Sequence, residues 1–363
     1  MILLFLIFIF LVLRFTVTLF NFISNPKLPA SGRHYSDLVS ILIPVRNESD
    51  TILHLLESLD SQDYLQYEVL ILDDSSTDST YQVVEEFCRS REKFSVIRSA
   101  PLAEGWVGKN YACHQLAEAA RGQYLLFVDA GSTVRNGLIN NAIHRMKYSR
   151  LSLLSLFPNQ EMKTLGERLV VPLMHYLLLN LLPLRLVRLS ASSSFAAASG
   201  QFMLFESETY RDHEWHSAVR ARPVEDVEIM RLVKGLGLHG ETLLANGFIT
   251  CRSYRNLREA VHGFSRKIMS GFGNNVAAIL LYLFLVVIGP LSVSFYLGLE
   301  LLLFGIGLIV LTRIMISLAA GQNPWINLAL HPLQMVSLVV ISAIAIQNHF
   351  TRSISWKGRK VTM

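Results

Sequence analysis

The chain has 363 residues, 51% of them hydrophobic, with 33 Lys and Arg against 28 Asp and Glu for a formal net charge of +5. That length accommodates one domain of about 200 to 250 residues plus membrane segments, and excludes two large soluble domains. The three cysteines, Cys88, Cys113 and Cys251, stand singly without CxxC or Cys/His spacing, which argues against a disulfide framework or a zinc site. No basic stripe with interleaved aromatics points to nucleic acid.

Residues 1–23 carry a single charge, Arg14, and just reach the length of about 20 apolar residues that crosses a bilayer as a helix. The basic residue lies inside the run and residues 22–26 make a poor cleavage site, so an uncleaved anchor is expected at 1–24 rather than a signal peptide. A linker with Pro26, Pro29 and Gly32 leads into the apolar run 38–44, which reads as a buried strand ending at Pro44. Asn47 or Ser49 is placed to cap a helix over 51–59, whose Ile52, Leu55, Leu56 and Leu59 share one face. Further strands are expected at 67–72, 94–98 and 124–128, with helices at 79–89 and 112–120 between them. This alternation predicts an α/β domain, residues 36–275, built on a mostly parallel sheet with right-handed crossovers.

Beyond it, residues 275–348 are apolar except for Glu300, Arg313 and His331, and spans are expected near 276–297, 299–317 and 333–347. A tail at 349–363 carries Arg352, Lys357, Arg359 and Lys360. With Arg168, Arg185 and Arg188, these charges beside apolar runs fit an anionic cytoplasmic leaflet. Three such spans place the tail on the opposite side from a cytoplasmic domain, against the positive-inside tendency, so the number of crossings stays open. The apolar segment 169–189 is interrupted by Pro172, His175, Pro183, Arg185 and Arg188. It reads as a helix pair lying in the membrane interface and delivering a lipid sideways, with a buried core helix as the alternative.

Ligands of parallel sheets sit at the carboxyl ends of the strands, and Asp73, Asp74 and Asp129 directly follow strands here. The loop from Asp73 to Asp78 offers carboxylates and hydroxyls suited to a base and ribose, or simply a helix cap from Ser76 or Asp78. Asp129 is placed to hold a hard divalent cation, Mg or Mn. Glu225, Asp226 and Glu228 precede an apolar helical pattern, where they stabilise the helix start or supply a carboxylate base that takes a proton from an attacking hydroxyl. Arg266 and Lys267 stand just before the C-terminal apolar block, suited to grip a diphosphate or a lipid headgroup.

Four segments in order, Ser40-Ile41-Leu42-Ile43-Pro44-Val45-Arg46-Asn47-Glu48, Val69-Leu70-Ile71-Leu72-Asp73-Asp74-Ser75-Ser76-Thr77-Asp78, Phe127-Val128-Asp129-Ala130 and Glu225-Asp226, resemble family 2 glycosyltransferases of the GT-A fold over roughly residues 38–275. Residues 104–110, Gly200 with Gln201, residues 263–267 and Trp356-Lys357-Gly358-Arg359 look like the membrane subgroup that glycosylates carotenoids, hopanoid-related lipids and ceramides. The resemblance implies a nucleotide-sugar donor and a lipid acceptor at a membrane, with Asp73 and Asp74 on the uracil and ribose and Pro44, Arg46 and Glu48 in the loop beneath the nucleotide. It implies Lys109 beside the donor phosphates, Asp129 as the first acid of a metal-binding Asp-x-Asp, Asp226 as catalytic base beside Glu225, and Gly200 and Gln201 in the acceptor region. It further implies a multi-pass protein of a bacterial plasma membrane with its catalytic domain in the cytoplasm. Two positions depart from the family pattern. Gly131 stands where the second metal acid is expected, and the Gln-x-x-Arg-Trp element of processive synthases is absent, with Arg266 and Lys267 in its region. A polyprenyl-phosphate sugar transferase and a non-catalytic membrane scaffold are the alternatives.

Overall fold

The computed structural model describes residues 2–222, 224–290, 298–351, 354–356 and 359–361. Pro223, residues 291–297 of the first expected C-terminal span, and Arg352, Lys357 and Gly358 of the tail lie outside the described residues.

Helix α1 (Ile2–Ser24) leads to β1 (Val39–Val45), α2 (Ile52–Asp60), β2 (Tyr67–Asp73), α3 (Thr80–Cys88), β3 (Phe94–Arg98), α4 (Gly108–Ala119), β4 (Tyr124–Val128), β5 (Ser132–Val134) and α5 (Leu138–Ser149). Then come β6 (Leu153–Phe157), β7 (Asn159–Gln160), α6 (Leu165–Val170), α7 (Pro172–Leu181), α8 (Leu186–Leu189), β8 (Phe202–Glu206), α9 (Ser207–His213), α10 (Trp215–Ala218), α11 (Glu225–Gly235), β9 (Gly240–Leu244) and β10 (Ile249–Cys251). The chain ends in α12 (Leu257–Gly271), α13 (Val276–Leu283), α14 (Leu299–Ala319), α15 (Pro324–Ala329), α16 (His331–Thr351), and the short strands β11 (Ile354–Trp356) and β12 (Arg359–Val361), which pair antiparallel.

Seven strands form one sheet in the order β3-β2-β1-β4-β8-β6-β9. β1, β2, β3 and β4 are mutually parallel. β8 is antiparallel to both β4 and β6, and β9 runs with β6, so the carboxyl ends of six strands open on one edge. Ile41, Leu42, Ile43, Val69, Ile71 and Leu72 are completely buried, because both faces of the sheet are covered; this is why these strands are continuous apolar runs rather than alternating ones. One face packs on α2, α3 and α5. The other joins a core shared with α4, α7, α11, α12, α14 and α16.

Two local expectations change. Neither Asn47 nor Ser49 caps α2, which starts after Thr51 without a side-chain cap bond; Asn47 sits at φ 52° and its Oδ1 accepts from Thr77 N at 2.8 Å instead. Helix α4 begins at Gly108, four positions ahead of expectation, because Asn110 Nδ2 donates to the carbonyls of Val219, Arg220 and Arg222 and fixes the first turn.

Among the described residues three helices are long and apolar enough to cross a membrane, Leu4–Ser24, Leu299–Ala319 and His331–Thr351, and a pair bent by 109°, Leu257–Gly271 with Val276–Ile288, makes a fourth if it counts as one span. The described part of the expected span from 276 is therefore the second arm of that bent pair, and α16 runs past 347 to Thr351. Segment 169–189 forms the end of α6, all of α7 and α8. Its Leu173, Tyr176 and Leu179 are buried, with α7 packed against α1 and α14, so its inner face behaves as the buried core helix, while Leu181 and Leu189 stay exposed.

Candidate active site

Asp73 ends β2 in register with Val45 of β1. The next residue, Asp74, donates its backbone N–H to Val45 O at 2.8 Å, and Arg46 reaches across, donating to Asp74 O at 2.5 Å with its guanidinium 3.9 Å from Asp74 Oδ2. Asp73 Oδ2 accepts from Ser76 N at 3.2 Å, while its buried Oδ1 makes no hydrogen bond among the described residues. Ser75, at φ 54°, holds a left-handed conformation unusual for a non-glycine residue. Asp78 Oδ1 accepts from Thr80 N at 3.0 Å just ahead of α3, whose N-cap Ser79 makes no side-chain cap bond. Glu48 is spent locally: its carboxylate accepts from Thr51 Oγ1 at 2.6 Å.

Next to this pair of turns, β4 delivers Asp129, whose N–H bonds Gln201 O at 3.3 Å. Lys109, on the first turn of α4, places its Nζ 3.0 Å from Asp129 Oδ1 and 2.9 Å from Glu225 Oε1. Asp226 turns the other way: its Oδ2 accepts from Gly200 N at 2.8 Å and its Oδ1 from Val227 N at 2.8 Å. Both acids lie in the first turn of α11 rather than ahead of it. Pro44, Lys109, Asp129, Gly200 and Glu225 line one narrow cleft of ≈ 10 Å³, floored by Phe127, Met203 and His216.

The electrostatics follow from this geometry. Desolvation pulls the Lys109 ammonium down, but Asp129 and Glu225 outweigh it and hold the group well above its ordinary value. Burial pushes Glu225 up, and the adjacent Lys109 more than reverses this, leaving it below its usual range. Asp226 is raised, first by burial and then by the neighbouring Glu225 charge. One acid is thus fixed as a carboxylate and the other poised to exchange a proton. His216, pushed down to about 3 by burial and then by Lys109, is neutral.

The adjacent pair on α12 separates. Lys267 is close enough to Asp226 and Glu225 to favour their charged forms. Arg266 instead lines a second, wider cleft of ≈ 360 Å³ with Ser253, Tyr254, Arg258, Glu259 and His262. Gln201 is buried and links to that side, donating to Ser253 Oγ at 3.0 Å and Cys251 Sγ at 2.9 Å. His216 and the Gln201–Ser253 contact escaped the sequence reading; no motif marks either, since each acquires its place only through the fold.

Residues 40–187 match the model for Glycosyl transferase family 2, a range that includes the turns carrying Pro44, Asp73, Asp74, Lys109 and Asp129 but not Gly200, Glu225 or Asp226. Those residues form a family 2 glycosyltransferase domain. The chain is similar to the 4,4'-diaponeurosporenoate glycosyltransferase of Staphylococcus haemolyticus, 23% identical over 345 residues, 90% of this chain and 88% of that protein. It is also similar to the beta-monoglucosyldiacylglycerol synthase of a Nostoc species, 32% identical over 123 residues, 31% of this chain and 26% of that protein. Its fold is that of a mannosyltransferase from Pyrobaculum calidifontis solved in complex with GDP-Man and Mn2+, with TM-score 0.58 and 15% identity over 95% of this chain and 99% of the other. The fold is GT-A.

The Mn2+ of that neighbour invites a test of fit here. Among the described residues no three His, Cys, Asp or Glu side chains gather as a metal set. Asp129 and its neighbour Glu225 are both already paired with Lys109. A side chain at Gly131 would meet nothing nearer than 3.8 Å, so sterics do not exclude an acid at that position. A hard divalent cation asks for several oxygen ligands, and this donor set does not fit one.

Proposed function

We propose that the protein transfers a sugar with inversion from a nucleoside-diphosphate sugar, UDP-linked, to a hydroxyl or carboxyl of a lipid acceptor at a membrane. The observation that carries this reading is the convergence of Lys109, Asp129, Glu225 and Asp226 at the carboxyl edge of one sheet, beside helices apolar enough to cross a bilayer. The turns at Asp73, Asp74, Pro44 and Arg46 would hold the nucleotide. Asp226, its carboxyl raised by burial and by the neighbouring Glu225, would accept the proton of the acceptor hydroxyl. That oxygen forms its bond to the anomeric carbon as the bond to the diphosphate breaks from the opposite face, which inverts the centre. A carboxylate acceptor, such as the name of the staphylococcal relative describes, is already ionised and needs only positioning. Negative charge grows on the departing diphosphate, and Lys109 with Lys267 would stabilise it more in the transition state than in the ground state. Gly200 and Gln201 sit where the acceptor would approach. The domain 36–275 would work in the cytoplasm of a multi-pass membrane protein, where nucleotide sugars are supplied.

The test is to incubate membranes carrying the protein with labelled nucleotide sugars and to ask which lipid fraction takes up label. Uptake into a neutral or acidic glycolipid, abolished by Asp226→Asn with donor binding kept, is the expected result for a hydroxyl acceptor. Label confined to a lipid-linked phosphate sugar would replace the reading with the polyprenyl-phosphate transferase. No transfer from any donor would return the scaffold.

A further inference from the structure

Outside the cleft, the main concentration of unbalanced charge lies inside the apolar helical layer. Arg14, midway along α1, is 6% exposed and Arg313, in α14, is 0% exposed. Both guanidinium groups face the Tyr176 ring of α7, at 5.2 and 5.1 Å from its centroid, so two like charges share one aromatic ring. Arg14 Nη2 donates to Tyr176 OH at 2.6 Å. Arg313 donates from Nη2 to Gln334 Oε1 and from Nε to Asn327 O at 3.4 Å. Every one of these partners is neutral. Arg14 Nε, Arg313 Nη1 and Nδ1 of His331, whose ring lies 5.7 Å from Tyr176, are buried without a hydrogen-bond partner among the described residues.

Among the described residues no acid is positioned to balance them. Residues 1–24 contain none, and residues 275–363 contain only Glu300, which is exposed at the start of α14, about 20 Å along the helix from Arg313. Glu167, the acid of segment 165–189, is bound to Arg252 at 2.6 Å and caps α6. A buried lysine can shed its proton; arginine cannot. Aromatic faces and amide oxygens offset part of the burden, but two desolvated cations without a counter-charge are expensive, and orphaned buried donors call for a guest that accepts hydrogen bonds.

We propose that Arg14, Arg313 and Tyr176, with His331, form an anion site between α1, α7, α14 and α16 that takes the carboxylate or phosphate head of a membrane lipid. The planar forks of two arginines suit an oxyanion, and basic pockets between membrane helices bind such heads. The site communicates with the catalytic edge. His175, the residue before Tyr176, packs 6.3 Å from Phe157 at the end of β6 and lies 3.3 Å from Gln322, while Asn159 Nδ2 donates to Ala320 O at 3.1 Å. A seated anion therefore holds α7 and α14 in register with that edge. This assignment stands independently of the transfer reaction.

The experiment uses the full-length protein purified in neutral detergent, with native mass spectrometry for retained lipid and thermal unfolding in the presence of phosphatidylglycerol, oleate or phosphatidylcholine. The expected result is a retained anionic lipid and an unfolding temperature raised by phosphatidylglycerol or oleate but not by phosphatidylcholine. R14Q and R313Q should each weaken the anion's apparent affinity by about tenfold, and R14K should keep the preference for anions. Should the glutamine variants fail to fold, the comparison of the three lipids on the wild-type protein decides alone. Stabilisation by phosphatidylglycerol only identifies a phospholipid; stabilisation by oleate only identifies a carboxylic acid such as an acceptor's own head. Equal stabilisation by phosphatidylcholine, or wild-type protein that retains and responds to no anion, overturns the proposal.

Discussion

Replacing Lys109 with Met tests the electrostatic core of the cleft. The substitution keeps most of the side-chain volume and removes the ammonium that lies 3.0 Å from Asp129 and 2.9 Å from Glu225. Three carboxylates, Asp129, Glu225 and Asp226, then share one region with Lys267 as the nearby cation. Breaking a buried pair costs roughly 3 to 5 kcal/mol, but Asp129 keeps 35% of its side-chain surface, so about 2 to 4 kcal/mol of stability should be lost at neutral pH. The pH dependence has a definite sign. Lys109 is raised above its ordinary value, so its own contribution persists across the range from pH 5 to 8. Glu225 is depressed in the wild type, so it contributes stability above its unfolded value that is lost only as pH falls through the lowered one. Without Lys109 that depression disappears, burial raises Glu225, and the variant takes up a proton as the medium turns acid. The gap in unfolding temperature between wild type and K109M, followed by differential scanning fluorimetry, should therefore be wide at pH 8 and narrow toward pH 5. A gap that is constant with pH, or no destabilisation at all, refutes this account of the site.

Gly200→Ala places a methyl 3.0 Å from Glu225 Oε1 and 3.1 Å from Lys109 Nζ, forcing a shift of a few tenths of an ångström in the ion pair; transfer rate should fall about tenfold, with little change in unfolding temperature. Because the donor set around Asp129 does not fit a divalent cation, binding of a nucleoside diphosphate measured by calorimetry should be the same within about twofold in EDTA and in Mn2+. A loss in EDTA that Mn2+ restores would contradict the reading of Lys109. Asp226 is raised above the usual aspartate range, and a base works only when ionised, so kcat/KM for a hydroxyl acceptor should climb with pH through that raised value. A rate that does not fall as the medium turns acid would remove Asp226 from the role.

The central strands were legible because each is buried on both sides: Ile41, Leu42, Ile43 and Val69, Ile71, Leu72 form unbroken apolar runs, and the acids that follow them mark the edge where ligands gather. Strand β8 was not, since Phe202–Glu206 becomes a strand by pairing antiparallel with Tyr124–Val128, a partner far away in sequence. The helical start of Lys109 was hidden for a similar reason. Gly108 and Asn110 are poor helix formers, and only the three carbonyls at 219–222 make that turn favourable. Asp129, Glu225 and Asp226 could be picked out by their place beside strands and at a helix start. That one lysine would bridge two of them was not readable, because a salt bridge between distant segments leaves no periodicity. The same holds for Arg14 and Arg313, each a lone charge in an apolar run until α7 brings them to one ring.

Helix α1 packs against α7 and α14, and it is synthesised before either neighbour: α7 follows β1 to β7, and α14 follows the whole sheet. Until then its polar inward positions, Arg14, Thr18 and Asn21, meet lipid or an insertion machinery rather than Tyr176 and the carbonyl of Leu179. The helical layer is thus closed by contacts between stretches of chain far apart in sequence, an arrangement of high contact order that makes this part of the fold slow to complete.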